Sequence, residues 1–157
     1  MIVFSNTTPL IALAGIKQLD LLRAIFGRVY IVREVVDECM AGGKILVPNL
    51  AELPWVEIVE SMTPEVPGVL LELDKGEKHT IDMARKMAAD LVVIDERIGR
   101  SLAEYVGLKV TGTLGVLLKA RQLGLISSFS AAVTAMQTNG IHYHPVLVEK
   151  LVKAAKE

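Results

Sequence analysis

Short apolar, β-branched runs recur along this chain and alternate with longer stretches whose apolar residues fall at helical spacing. Strands are expected over residues 2–4, 29–31, 55–59, 91–94 and 109–110. Helices are expected over 9–15, 76–89, 97–106 and 113–123, with a further helical run in VREVVDECMAGG. Ile98, Leu102, Tyr105 and Val106 share one face of their helix, Leu114, Leu117 and Leu118 share one in the next, and Ile81, Ala84 and Ala88 stripe the helix before both. Strands separated by helices imply right-handed crossovers and an α/β fold with a mostly parallel sheet covered on both faces, a three-layer α/β/α sandwich. LVVI at 91–94 is apolar at every position, as a central strand buried on both sides should be. Residues 42–54 and 63–68 read as loop or short-helix insertions. No repeat, linker or low-complexity segment divides the chain, so residues 1–157 are expected to form a single domain, its helices beyond about residue 125 the least defined by pattern.

Composition narrows the function classes. The 157 residues are 52% hydrophobic with a mean hydropathy of +0.44, yet the longest apolar runs are far too short for a bilayer, and no basic stretch leads an apolar one at the N-terminus, so neither membrane span nor signal peptide is expected. The surplus apolar surface is expected in a buried sheet and a subunit interface. Cys39 is the single cysteine, which excludes a disulfide framework and a thiolate zinc cluster and suits a reducing cytoplasm. A net charge of −1 gives no basic field to announce nucleic acid, so such a partner would need local cations or a bound metal.

Polar residues matter most at the strand ends. The turn after the first strand is Ser5-Asn6-Thr7-Thr8, and such turns bind ligands in doubly wound sheets. Thr8 followed by Pro9 reads as a helix start. Asn6 is then a turn residue, or an amide standing where a metal enzyme would place a carboxylate. Glu34, Asp37 and Glu38 read as a solvated helix face, unless Glu38 leans back over a strand end. Asp74 and Glu77 have capping-box spacing, yet Glu77 shares a stripe with Ile81 and Ala84 and so points inward. Asp95 either caps the helix after it or stands at the carboxyl edge of the sheet, and Arg100 is placed to pair with Glu96 one turn away.

Taken together, Asn6 and Asp95 fall at strand ends, with Glu38 and Glu77 on flanking helices. Clustered carboxylates repel unless a cation or a bound proton neutralises them. Mg²⁺ or Mn²⁺ takes such oxygen ligands and leaves water sites free for phosphate. Thr7, Thr111 and Thr113 add hydroxyls near helix N-termini, which suits a phosphate. Such a set would activate a water and stabilise the leaving oxygen of a phosphodiester. His142 and His144 in GIHYHP would point the same way on a strand, but a zinc site lacks its third ligand there. A receiver-like phosphate site lacks its acidic pair and lysine, and a dinucleotide site lacks a glycine-rich first turn.

The opening strand with NTTPLIALAGIKQLDLLRAIFGRV, the VVDE helix, LDKGEKHTIDMA and LVVIDERIGRSLAEYVGLKVTGTLGVLLKA resemble, in that order, the PIN-domain family, and within it the VapC-like branch of prokaryotic toxins and related nucleases. The likeness extends to about Gly124. It implies a PIN-like fold, Mg²⁺- or Mn²⁺-dependent cleavage of RNA, and an acidic site at Glu38, Glu77 and Asp95 with Glu96 as an additional ligand. The family's first aspartate, within an Asp-(Ser/Thr)-(Ser/Thr) turn, falls on Asn6. An amide brings no charge and cannot accept a proton, so the implied activity is an attenuated ribonuclease, or an inactive PIN-like domain that binds RNA or a protein partner. Arg97 and Arg100 are then placed for the RNA backbone. The resemblance further implies a cognate antitoxin protein and a homodimer.

Overall fold

A computed structural model describes residues 1–61, 68–70 and 72–157, so the insertion expected at 63–68 lies outside the described residues except for Gly68. The strands are β1 (Val3–Ser5), β2 (Val29–Val32), β3 (Val56–Val59), β4 (Leu91–Val93) and β5 (Val110–Thr111). They form a five-stranded sheet in the order β3-β2-β1-β4-β5, and every neighbouring pair is parallel. The helices are α1 (Thr7–Gly15), α2 (Leu21–Phe26), α3 (Arg33–Met40), α4 (Lys75–Lys86), α5 (Arg97–Tyr105), α6 (Thr113–Gln122), α7 (Phe129–Thr138) and α8 (Pro145–Ala154). The result is the expected three-layer α/β/α fold. Each predicted strand is present within a residue or two of its expected ends. Residues 42–54 form a loop broken by one 3₁₀ turn, Leu50–Glu52.

The central strands explain the burial pattern. Val3, Phe4, Val92 and Val93 are fully buried because helices cover both faces of β1 and β4. Phe4 lies opposite Tyr30 in the β1–β2 register, and the two rings stack with centroids 5.6 Å apart. At the margin of the sheet, Arg28–Glu57 and Arg33–Glu60 ion pairs decorate β2 and β3. Among the described residues, no helix is long and apolar enough to cross a membrane.

Three local expectations are corrected. Helix α1 begins at Thr7, with Asn6 at the N-cap position, so Pro9 is its third residue and Thr8 is exposed. That placement is cheap, because the first four amide groups of a helix have no intrahelical partner. Helix α4 stops at Lys86, and Ala88 takes a left-handed conformation (φ +52°) that turns it into solvent instead of along the apolar stripe. In α5 the core face is made by the small residues Gly99 and Ala103, while Ile98 is 62% and Tyr105 78% exposed. At Gly99 the space beside the helix is taken by the Glu77 carboxylate, while Leu102 and Val106 are half-buried against the core.

Removing the Phe4 ring should cost about 3–5 kcal/mol, since the site is fully buried and shared with Tyr30. Urea denaturation of Phe4→Ala should show that loss as a lower midpoint with an unchanged slope.

Candidate active site

The chain passes from β1 to β2 on one side, and β4 lies against β1 on the other. Ligands bind at such a reversal of strand order, outside the carboxyl ends of the strands. Ser5 pairs with Val93 in register, and the Asn6 backbone N–H donates to the Val93 carbonyl at 3.0 Å. Asn6 and Asp95 therefore emerge side by side where α1 and α5 start, with the N-terminus of α6 one strand further along.

Asn6 is 4% exposed, stands at the N-cap position of α1, and makes no capping bond. Its side-chain Oδ1 is buried without a hydrogen-bond partner. An unsatisfied buried oxygen costs about 1–3 kcal/mol, which a simple turn or cap residue would have avoided.

Glu38 ties two helices together. Its Oε2 accepts the Thr7 hydroxyl, and its Oε1 accepts the Gly76 N–H at 3.0 Å. A Cβ on Gly76 would lie 2.5 Å from that oxygen, so a side chain there would displace the carboxylate from its present position. The solvated-face reading therefore holds for exposed Asp37, whereas Glu38 is half-buried. Glu34 is half-buried as well and accepts the Ser61 hydroxyl.

Glu77 realises half of its capping box. Asp74 accepts the Glu77 N–H at 2.9 Å and caps α4, but the Glu77 side chain is turned inward. Its Oε2 is buried and unpartnered, and it lies where a Cβ on Gly99 would come within 2.4 Å. Burial first, then the neighbouring carboxyl of Asp74 and the charges of Glu96 and Glu38, pushes its pKa up to about 8.

Asp95 does not cap α5; Glu96 does, accepting the Gly99 N–H at 2.8 Å. Asp95 reaches instead to the start of α6. Its Oδ1 accepts the Thr113 N–H and its Oδ2 the Thr113 hydroxyl, each at 2.6 Å. Thr113, fully buried, thus has both donors engaged with Asp95 rather than open to a phosphate, while Thr111 lines the cavity beside it. Arg100 donates to the Ile94 carbonyl at 3.3 Å rather than pairing with Glu96. Its guanidinium and Asp95 both crowd Gly112, where a Cβ would meet them at 2.6 and 2.8 Å. Arg97 is exposed on the rim. Glu77, Glu96 and Asp74 share an open cavity of about 610 Å³ with Ile98 and Leu102.

One partner escaped the sequence pattern. The Tyr143 hydroxyl donates to Asp95 Oδ2 at 3.3 Å, and burial, with the Asp95 charge, holds this phenol well above its ordinary pKa. The HYH triplet did carry the signal, because an extended triplet sends its middle residue opposite to the outer two. His142 and His144 face solvent, and His144 Nδ1 accepts the Val146 N–H as the cap of α8. The zinc reading ends there. Cys39 is buried, and its thiol is pushed up to about 12, chiefly by burial.

A family model described as a PIN domain matches residues 2–157. The chain belongs to the PIN-domain family. No curated protein and no solved structure matches it. PIN domains share a nuclease-type fold and generally use divalent metal ions. The donor chemistry of this PIN domain fits a hard cation: every candidate ligand is an oxygen, and the buried orphans Asn6 Oδ1 and Glu77 Oε2 are atoms such an ion would satisfy. Among the described residues, however, no three acidic, histidine or cysteine side chains gather closely enough to grip an ion. Glu38 and Asp95 are held instead by their hydrogen-bond partners.

The proton held by Glu77 couples stability to pH. The folded chain holds this proton more tightly than an unfolded glutamate does, so its contribution is full below 4.5 and is lost as pH rises to about 8. Stability should fall across that window and level off above it. Glu77→Gln, which keeps the shape without the charge, should flatten the slope in urea denaturation series run from about pH 5 to about pH 9.

Proposed function

We propose that this PIN domain is a ribonuclease of the VapC-like toxin type, dependent on Mg²⁺ or Mn²⁺ and attenuated by Asn6. The observation that carries the reading is the pair of buried, unpartnered oxygens on Asn6 and Glu77 at the switch point, flanked by Glu38 and Asp95. Asn6, Glu38, Glu77 and Asp95 would hold the ion, with Glu96 as an outer ligand once its cap loosens. A bound divalent cation would neutralise this acidic cluster and lower the pKa of an attacking water. Arg100, half-buried beside Asp95, and Arg97 on the rim supply the local positive charge that orients an RNA phosphate on a chain with no net basic field. Thr7 and Thr111 line the approach, Thr7 by fixing Glu38.

The same reading places the chain in the cytoplasm with a cognate antitoxin, and as a homodimer. The exposed Ile98 and Tyr105 on α5 support a subunit contact. A second reading, a non-catalytic domain that binds RNA or a protein partner, is favoured by the neutral amide at position 6 and by the fully engaged Asp95.

Calorimetry with Mn²⁺, run beside an RNA cleavage assay, separates the two. Asn6→Asp should tighten Mn²⁺ binding by about tenfold, the equivalent of about 1.4 kcal/mol from one added ligand charge, and should raise the cleavage rate. Asp95→Ala should abolish cleavage. Binding and cleavage absent from both the chain and Asn6→Asp would overturn the nuclease reading in favour of the interaction domain.

A further inference from the structure

The segment after α7 crosses the carboxyl edge of the sheet and is fastened at its two ends. At the near end, Tyr143 donates to Asp95. At the far end, the Glu157 side chain accepts the Phe129 N–H at 2.7 Å, the Ser130 N–H at 3.1 Å, the Ser128 hydroxyl at 2.8 Å and Arg121 Nε at 3.2 Å. Between these clasps, α8 buries none of its residues fully, with Val148, Leu151 and Val152 half-buried. Val146 is 65% and Leu147 46% exposed, and a cavity of about 270 Å³ separates Leu147 and Leu151 from Asp95, Arg100 and Gly112. Val148, Leu151 and Val152 pack against the core, so the helix rests on a narrow apolar seam together with its polar clasps. Elements with few buried contacts open at lower free energy than the body of the fold.

The bonds to Asp95 are unequal. Thr113 supplies two at 2.6 Å from the body of the fold. Tyr143 supplies the third, the longest, from the loosely packed strap. With the Thr113 hydroxyl and the phenol both on Oδ2, the lone pairs of that oxygen are taken. A cation approaching Asp95 through Oδ2 has to displace the weaker donor.

We propose that Tyr143 is a positioning residue that withholds Asp95 from the metal site, and that residues 142–157 form the strap which must lift for the ligand set to close. The inference rests on the metal-dependent reading above and adds its regulation. By linkage, whatever lifts the strap strengthens ion binding, and ion binding loosens the strap.

The test uses the full chain carrying Asn6→Asp, so that Mn²⁺ binding is measurable. Adding Tyr143→Phe should tighten Mn²⁺ affinity by about three- to tenfold, the size of one ordinary hydrogen bond, as suits a contact as long as 3.3 Å. Glu157→Gln, at the other clasp and remote from the acids, should act in the same direction. Saturating Mn²⁺ should speed amide hydrogen exchange in α8 with Tyr143 present and change it little in Tyr143→Phe; thermal melting confirms that each variant is folded. An affinity unchanged or weakened by Tyr143→Phe, with α8 exchange indifferent to Mn²⁺, would overturn the strap and leave the metal site standing. No Mn²⁺ binding in Asn6→Asp, with or without Tyr143→Phe, would overturn the metal-dependent reading and the strap with it.

Discussion

A parallel sheet delivers every strand's carboxyl end to one edge, and that constraint governs this molecule. The pairing of β1 with β4 brings Asn6 and Asp95 out together, and the helices that follow those strands start at the same edge. Helix N-termini carry unpaired amide groups and partial positive charge, so carboxylates settle there. Glu38 takes the amide of Gly76, Asp95 that of Thr113 and Glu96 that of Gly99. The acids that crowd this edge are stabilised by the helix ends that crowd it with them. Glu77 is the exception: its own amide is capped by Asp74 while its carboxyl faces inward, which is why it retains its proton far into the neutral range.

The fold was largely legible because period and composition report burial directly. A run such as LVVI has no polar face, and only a strand covered on both sides needs none. Pattern failed where packing distance, not polarity, decides orientation. Helix α5 carries an apolar stripe, yet buries Gly99 and Ala103, leaves Leu102 and Val106 half-buried and exposes Ile98 and Tyr105. Helix α2, six residues between a turn and β2, is too short to display a period.

At the edge itself, residue types were readable and their partners were not. Asp95 and Glu96 are adjacent, and which one caps α5 depends on where the helix begins, a matter of a single residue that propensity does not resolve. Arg100 could be matched to Glu96 by spacing, but the guanidinium finds a backbone carbonyl instead. Tyr143 lies 48 positions beyond Asp95; the alternation of HYH turns it away from the two histidines, but local spacing does not name Asp95 as its partner. The juxtaposition of these groups follows from topology.

Much of this edge is shaped by atoms that are missing from side chains. A methyl group at Gly76, Gly99 or Gly112 would collide with Glu38, Glu77 or Asp95 respectively. None of these glycines has a positive φ, so none is there for a turn; each is there to leave room. A side chain at any of the three would push a carboxylate away from where it now points. An inventory of ionisable residues would pass over the vacancies that aim them.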